Sequence, residues 1–165
     1  MKSKILAYMP SDGSNIREEY LVQWQRFAQD YGAKFNLIDN SKKDSKEEIR
    51  KLLSSNILVI TGGNTFKLLY NLRQSGLDRV IKRFAQKDNF VLSGFSAGAI
   101  VLTPTIKICN LPNYDSNDVG IKDLAGLNIV NFEVFPHYSK KYQKILSDYK
   151  EKTKILKKLG KKNLV

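Results

Sequence analysis

Asn89-Phe90-Val91-Leu92-Ser93-Gly94-Phe95-Ser96-Ala97-Gly98-Ala99-Ile100-Val101-Leu102 passes from a strand-like run to a helix-like one through a Gly-x-Ser-x-Gly turn. Small residues at 94, 97 and 98 allow the chain to reverse sharply enough to hold Ser96 at a strand-to-helix junction. The hydroxyl is then exposed, and the Ala97 amide faces out of the helix N-terminus, where it could stabilise an oxyanion. The competing reading is a tight packing turn with no chemistry.

Working outward, strand and helix signals alternate. Lys4–Met9 is an apolar run broken by Pro10-Ser11-Asp12-Gly13, a strand followed by a loop. Arg17–Tyr31 carries Tyr20, Leu21, Trp24, Phe27, Ala28 and Tyr31 at helical spacing, with Gly32 placed to end the helix. Lys34–Ile38 reads as a second strand. Ser45 before Glu47, Glu48, Ile49, Leu52 and Leu53 reads as a capped helix. Asn56–Thr61 is an apolar strand of the kind found in parallel sheets covered on both faces. Helices are expected over Thr65–Leu72 and Leu77–Gln86, and a further strand within Gly126–Phe135. Leu111–Ala125 is the one long polar loop. This βαβα order predicts an α/β fold, a three-layer, doubly wound, mostly parallel sheet.

A length of 165 residues fits one domain, and 42% hydrophobic with 27% charged residues fits a globular chain. No apolar stretch approaches the roughly 20 residues that span a bilayer, the start Met1-Lys2-Ser3-Lys4-Ile5 does not read as a signal peptide, and the single cysteine, Cys109, cannot form an internal disulfide. The expectation is a cytoplasmic protein with no membrane association. The formal charge of +12 is concentrated after Ser139, where ten lysines face only Asp148 and Glu151. Those lysines alternate with Tyr142, Ile145, Leu146, Tyr149, Ile155, Leu156 and Leu159 at helical spacing, the pattern of a solvated helix face. No interleaving of basic and aromatic residues argues for nucleic acid.

Beyond the Ser96 turn, two features fall where such sheets bind ligands, past the carboxyl ends of strands. Thr61-Gly62-Gly63-Asn64-Thr65 follows a buried strand, and Gly63 could offer a second oxyanion amide. Its alternative is a plain helix start capped by Asn64 or Thr65; Asn64 is also a candidate substrate contact. His137, the only histidine, stands in Val134-Phe135-Pro136-His137-Tyr138, expected at a strand end where it could share a sheet edge with Ser96. A serine needs such a base to act as a nucleophile. One His and one Cys cannot build a zinc site, and no metal or cofactor is expected.

Together, Ile60-Thr61-Gly62-Gly63-Asn64-Thr65-Phe66, Gly94-Phe95-Ser96-Ala97-Gly98-Ala99, Thr103-Pro104-Thr105-Ile106 and Pro136-His137-Tyr138 resemble the motifs of the dipeptidase E-like serine peptidases, which include aspartyl dipeptidases and the cyanophycinases. The resemblance covers essentially the whole chain. It implies a class I glutamine-amidotransferase-like fold, Ser96 as nucleophile, His137 as general base, Gly63 and Ala97 as oxyanion amides, and short peptides as substrates. Three departures accompany it. The family's orienting acid lies beyond the equivalent of Val165, so residues 1–165 are expected to form a single domain lacking the family's C-terminal part. Leu111 stands where aspartyl-specific members carry Asp. Tyr138-Ser139-Lys140-Lys141 replaces their Gly-Glu-Thr-Arg stretch. Glu133, even on the same strand face as His137, would lie about 13 Å away; Asp115, Asp118 and Asp123 remain candidates in the long loop. Losing the acid costs about four orders of magnitude in rate, so weak activity is expected. A strand begun at Asn163 and cut at Val165 predicts an uncovered sheet edge, with homo-oligomerisation or low stability as its consequence. Two other classes are open: a carboxylester hydrolase using Ser96, Asp118 and His137, and a non-catalytic relative that binds a partner or a polyanion.

Overall fold

The computed structural model describes residues 4–13 and 15–153. Its centre is a four-stranded parallel sheet in the order β2-β1-β3-β4, built from β1 (Ile5–Met9), β2 (Lys34–Leu37), β3 (Ile57–Ile60) and β4 (Val91–Gly94). The chain runs from β1 to β2 at one edge, then crosses back to β3 and on to β4. The direction of winding therefore reverses between β1 and β3, and the helices fall on both faces, as the βαβα pattern predicts.

Side-chain alternation divides the core in two. Ala7, Met9, Leu58 and Ile60 point to one face, and α2 (Lys46–Ser54), α3 (Thr65–Ser75), α4 (Leu77–Phe84) and α5 (Ala97–Val101) supply the larger core there. Leu6, Tyr8 and Val59 point to the other, where α1 (Glu18–Asp30) packs with Ala28 and Trp24. The local signals act as expected. Ser45 caps α2 by accepting from the Glu48 amide, and Gly32 after α1 takes a left-handed φ of 64°. α3 runs three residues past its expected end, to Ser75, because Gly76 at φ 74° stops it rather than Leu72.

The expected strand within Gly126–Phe135 does not form. Its backbone instead bonds the end of α5 and the turn after it: Leu127 N donates to Val101 O at 2.7 Å, Asn128 N to Thr103 O at 3.0 Å, Ile129 N to Leu102 O at 2.9 Å and Gly126 N to Pro104 O at 3.0 Å. A helix C-terminus leaves such carbonyls without intrahelical partners, and this segment meets them. Just before the segment, Ala125 makes an isolated antiparallel bridge with Thr105. Glu133 is therefore not a strand residue sharing a face with His137. It is buried, and accepts from Tyr149 Oη of α6 (Gln143–Thr153) at 2.8 Å. Ile155, Leu156 and Leu159 of the expected C-terminal stripe, and the strand expected from Asn163, lie outside the described residues. Among the described residues no helix is long and apolar enough to cross a membrane.

Two outcomes test this packing. A Cβ on Gly98 would fall inside contact distance of the Ile60 carbonyl oxygen, so Gly98→Ala should lower the unfolding free energy by about 2 kcal/mol or more in urea titrations. Gly32→Ala, where a Cβ meets nothing within 4 Å, should cost only about 1 kcal/mol of left-handed strain. Burial raises the Glu133 carboxyl above its ordinary 4.5, against the opposing pull of the Tyr149 hydroxyl and the Lys107 charge. The folded state thus holds that proton more tightly than the unfolded one, a contribution complete below the ordinary value and lost as pH rises through the native one. Glu133→Gln should therefore be more stable than the wild type at pH 7, with the gap closing toward pH 4.

Candidate active site

Ser96 is the hinge between β4 and α5. Its φ of 50° and ψ of −115° lie where few non-glycine residues go. Neighbouring backbone holds it there. Phe95 N donates to Ile60 O at 2.9 Å, Gly98 N to Phe95 O at 2.9 Å and Ile100 N to Ser96 O at 3.0 Å. A Cβ on Gly94 would lie 2.6 Å from Gly98 O, so the turn closes only around glycine.

The Ser96 hydroxyl meets Nε2 of His137 at 2.9 Å. His137 reaches it from a turn after Pro136, with its own φ at 61°, and not from a strand end as the sequence suggested. The flanking residues explain the placement. Val134, Phe135 and Tyr142 pack against the larger core, Phe135 lies between Tyr114 and Tyr142 with ring centroids 5.1 and 5.0 Å away, and Tyr114 Oη reaches Pro136 O at 3.5 Å. An aromatic stack thus positions the imidazole without help from the sheet.

The Thr61-Gly62-Gly63 loop after β3 lies against the same serine. A Cβ on Gly62 would sit 3.0 Å from Ser96 Cβ and 3.6 Å from its hydroxyl. Gly63 has φ 148°, and a Cβ there would strike Ser11 Oγ. Gly62 and Ala97, the first residue of α5, thus flank Ser96, while Gly63 faces Ser11. Helix-start amides such as that of Ala97 have no intrahelical acceptor. Asn64 takes the capping role: its Oδ1 accepts from Lys67 N at 2.9 Å and its Nδ2 donates to Ser116 O at 2.7 Å.

The loop acids are engaged elsewhere. Asp115 accepts from Thr65 N at 2.9 Å, so the long loop clamps the start of α3 and with it the Gly62-Gly63 turn. Asp118, the acid of the esterase alternative, accepts from Ser116 Oγ at 2.8 Å. Asp123 pairs with Arg73 at 3.0 Å. Among the described residues no carboxylate bonds His137, and no three His, Cys, Asp or Glu side chains form a metal-binding group. Burial pushes the Cys109 thiol up to about 12, so it is a packing residue and a poor nucleophile.

Sequence reasoning passed over the cleft next to this centre. A cavity of about 480 Å³ opens beside Gly62 and Phe95, lined by Tyr8, Tyr20 and Trp24 with Arg17 among its walls. Its place was legible in principle. Pro10-Ser11 and Thr61-Gly62 follow β1 and β3, the two strands between which the winding reverses, and that is where open α/β sheets bind ligands.

Comparison with known proteins agrees with this architecture. The family model for peptidase family S51 matches residues 2–160. An uncharacterised peptidase of Listeria monocytogenes is 26% identical over 162 residues, covering 94% of this chain and 78% of the relative. Peptidase E of Nostoc sp. is 30% identical over 141 residues, covering 82% of this chain and 53% of that protein. A crystal structure of a Listeria monocytogenes protein provisionally assigned as peptidase E superposes with a TM-score of 0.72 at 26% identity, over 92% of this chain and 75% of the other. The sheet is accordingly of the class I glutamine-amidotransferase type. With the family's sequence pattern running through nearly all of its length, the chain belongs to peptidase family S51.

Proposed function

We propose that the protein is a serine peptidase of short peptides, acting by acyl transfer through Ser96 and His137. The observation that carries the reading is the 2.9 Å contact between the Ser96 hydroxyl and His137 Nε2 at a strained strand-to-helix turn. In this reading the neutral imidazole keeps its proton on Nδ1, and Nε2 accepts the serine proton as Oγ bonds the scissile carbonyl carbon. The oxyanion that forms takes hydrogen bonds from the Gly63 and Ala97 amides. Nε2 then gives its proton to the departing amine as the C–N bond breaks. Water enters by the reverse proton path, releasing the acid and regenerating Ser96.

No described carboxylate steadies the imidazole, and the orienting acid is worth about four orders of magnitude in such triads. The reading places the protein in the cytoplasm, which suits Cys109 as an unpaired, buried thiol.

Steady-state hydrolysis of p-nitrophenyl acetate and of a panel of dipeptide amides is the direct test. Ser96→Ala and His137→Ala should each lower kcat/KM by about a hundredfold or to the buffer rate. The double variant should be no worse than either single one, because the pair acts as a unit. A fluorophosphonate should label Ser96, while iodoacetamide at pH 8 should leave both Cys109 and the activity untouched in the folded protein. A hydrolysis rate unchanged in both single variants would rule the mechanism out.

A further inference from the structure

The cleft is not walled by Ser96 itself, but it shares Gly62 and Phe95 with the serine's own surroundings, so it adjoins the Ser96 turn. Its volume of about 480 Å³ falls within the range of small-molecule sites, about 300–1,000 Å³. Four aromatic rings, Tyr8, Tyr20, Trp24 and Phe95, form its apolar wall, with Ser11, Asn15, Gln23 and Thr61 as uncharged polar neighbours. Trp24 is tilted against Tyr8 with centroids 5.4 Å apart and against Phe95 at 6.0 Å, an arrangement into which another ring or a large aliphatic group can stack. Tyr8 is buried, whereas Tyr20 and Phe95 stand 47% and 49% exposed at the mouth, in position to lose water when a ligand enters.

Charge in the cleft is sparse. Among the described residues of the lining Arg17 is the one that is charged; its guanidinium pairs with Glu19 at 3.5 Å and lies 5.9 Å from the Tyr20 ring centre. With 74% of its side chain exposed, it is screened by water and offers little to a carboxylate that must shed its own hydration among aromatic rings.

The position of His137 sets which part of a peptide the cleft receives. The segment carrying His137 is anchored on the face of α3, α4 and α5, whereas the cleft opens on the α1 face with Tyr8 and Trp24. His137 must protonate the departing amine, so the leaving group lies on its side and the acyl residue on the other. Resting on the serine-peptidase reading above, we propose that the Tyr8–Tyr20–Trp24–Phe95 cleft is the acyl-side specificity pocket and selects a large aromatic or aliphatic N-terminal residue over an acidic one.

Trp24 is the only tryptophan in the sequence and forms part of the wall, so its fluorescence reads occupancy without turnover. The experiment titrates the Ser96→Ala protein with Phe-Ala, Leu-Ala, Ala-Ala and Asp-Ala. Phe-Ala and Leu-Ala should give saturable emission changes at concentrations about tenfold or more below those needed for Ala-Ala and Asp-Ala, the discrimination typical of an apolar pocket. Tyr20→Ala, introduced at a half-exposed position in the same background, should raise the Phe-Ala concentration for half-saturation several-fold. Asp-Ala binding as tightly as Phe-Ala, or Phe-Ala binding unaffected by Tyr20→Ala, would overturn the proposal. Fluorophosphonate labelling of the wild type separates the two readings. Labelling at Ser96 with no ranking among the peptides refutes the pocket alone. Ranked binding without labelling refutes the peptidase and leaves the pocket as an aromatic-binding site.

Discussion

The structure turns on the backbone at Ser96. A residue held at φ 50° and ψ −115° costs of the order of 1–3 kcal/mol, and it persists only because its surroundings leave no alternative. Gly94 and Gly98 let the first turn of α5 fold back onto the ends of β3 and β4 with no side chain between them. The parallel register sets Gly94 opposite Ile60, and Phe95 N continues the ladder to Ile60 O. The loop leaving β3 takes its position from this turn, since Gly62 must pass directly beside the serine.

The two faces of the sheet contribute differently. The larger core holds α3 and α5 together and carries the aromatic stack that presents His137. The long loop adds a clamp of its own, through Asp115 on the Thr65 amide and Asn64 on Ser116, so the Gly62-Gly63 turn is held at its α3 end. The α1 face is thinner and more open, with Trp24, Phe27 and Tyr31 in contact along the helix and Phe95 against Trp24. One side thus presents Ser96 and His137, and the other an open aromatic surface.

Several lysines remote from the basic tail act as structural donors. Lys87 lies half-buried with Nζ on the carbonyls of Leu53 and Ser55, and burial lowers its pKa. Lys51 bridges the buried Glu48 carboxylate and Leu37 O, and Glu48 in turn accepts from Asp39 N. Lys67 joins α3 to Asp12 in the loop after β1. These contacts tie β2, α2, α3 and the loops around them together. Leaving the Glu48 carboxylate without them would strand a charge in the interior, a costly state.

The sequence by itself determined the alternation of strands and helices, their parallel winding and the Gly-x-Ser-x-Gly junction, because these follow from local properties: apolar period, capping residues and the freedom of glycine. It also brought Ser96 and His137 forward as a pair by their chemistry. Tertiary structure decided how that pair meets. Gly126–Phe135 has the composition of a strand, yet the unpaired carbonyls at the end of α5 compete for its amides and win, so His137 arrives on a turn braced by Tyr114, Phe135 and Tyr142. Asn64, which the sequence left between capping and binding, caps α3, because the Lys67 amide and the Ser116 carbonyl lie within its reach. The aromatic cleft was hidden for a similar reason. Tyr20 and Trp24 read as one face of a helix, and only the winding of the sheet brings that face to Phe95 and the loop beside Ser96. Local patterning fixes which backbone conformations are favourable, whereas the partner of each unsatisfied group and each exposed ring is settled by competition across the whole fold.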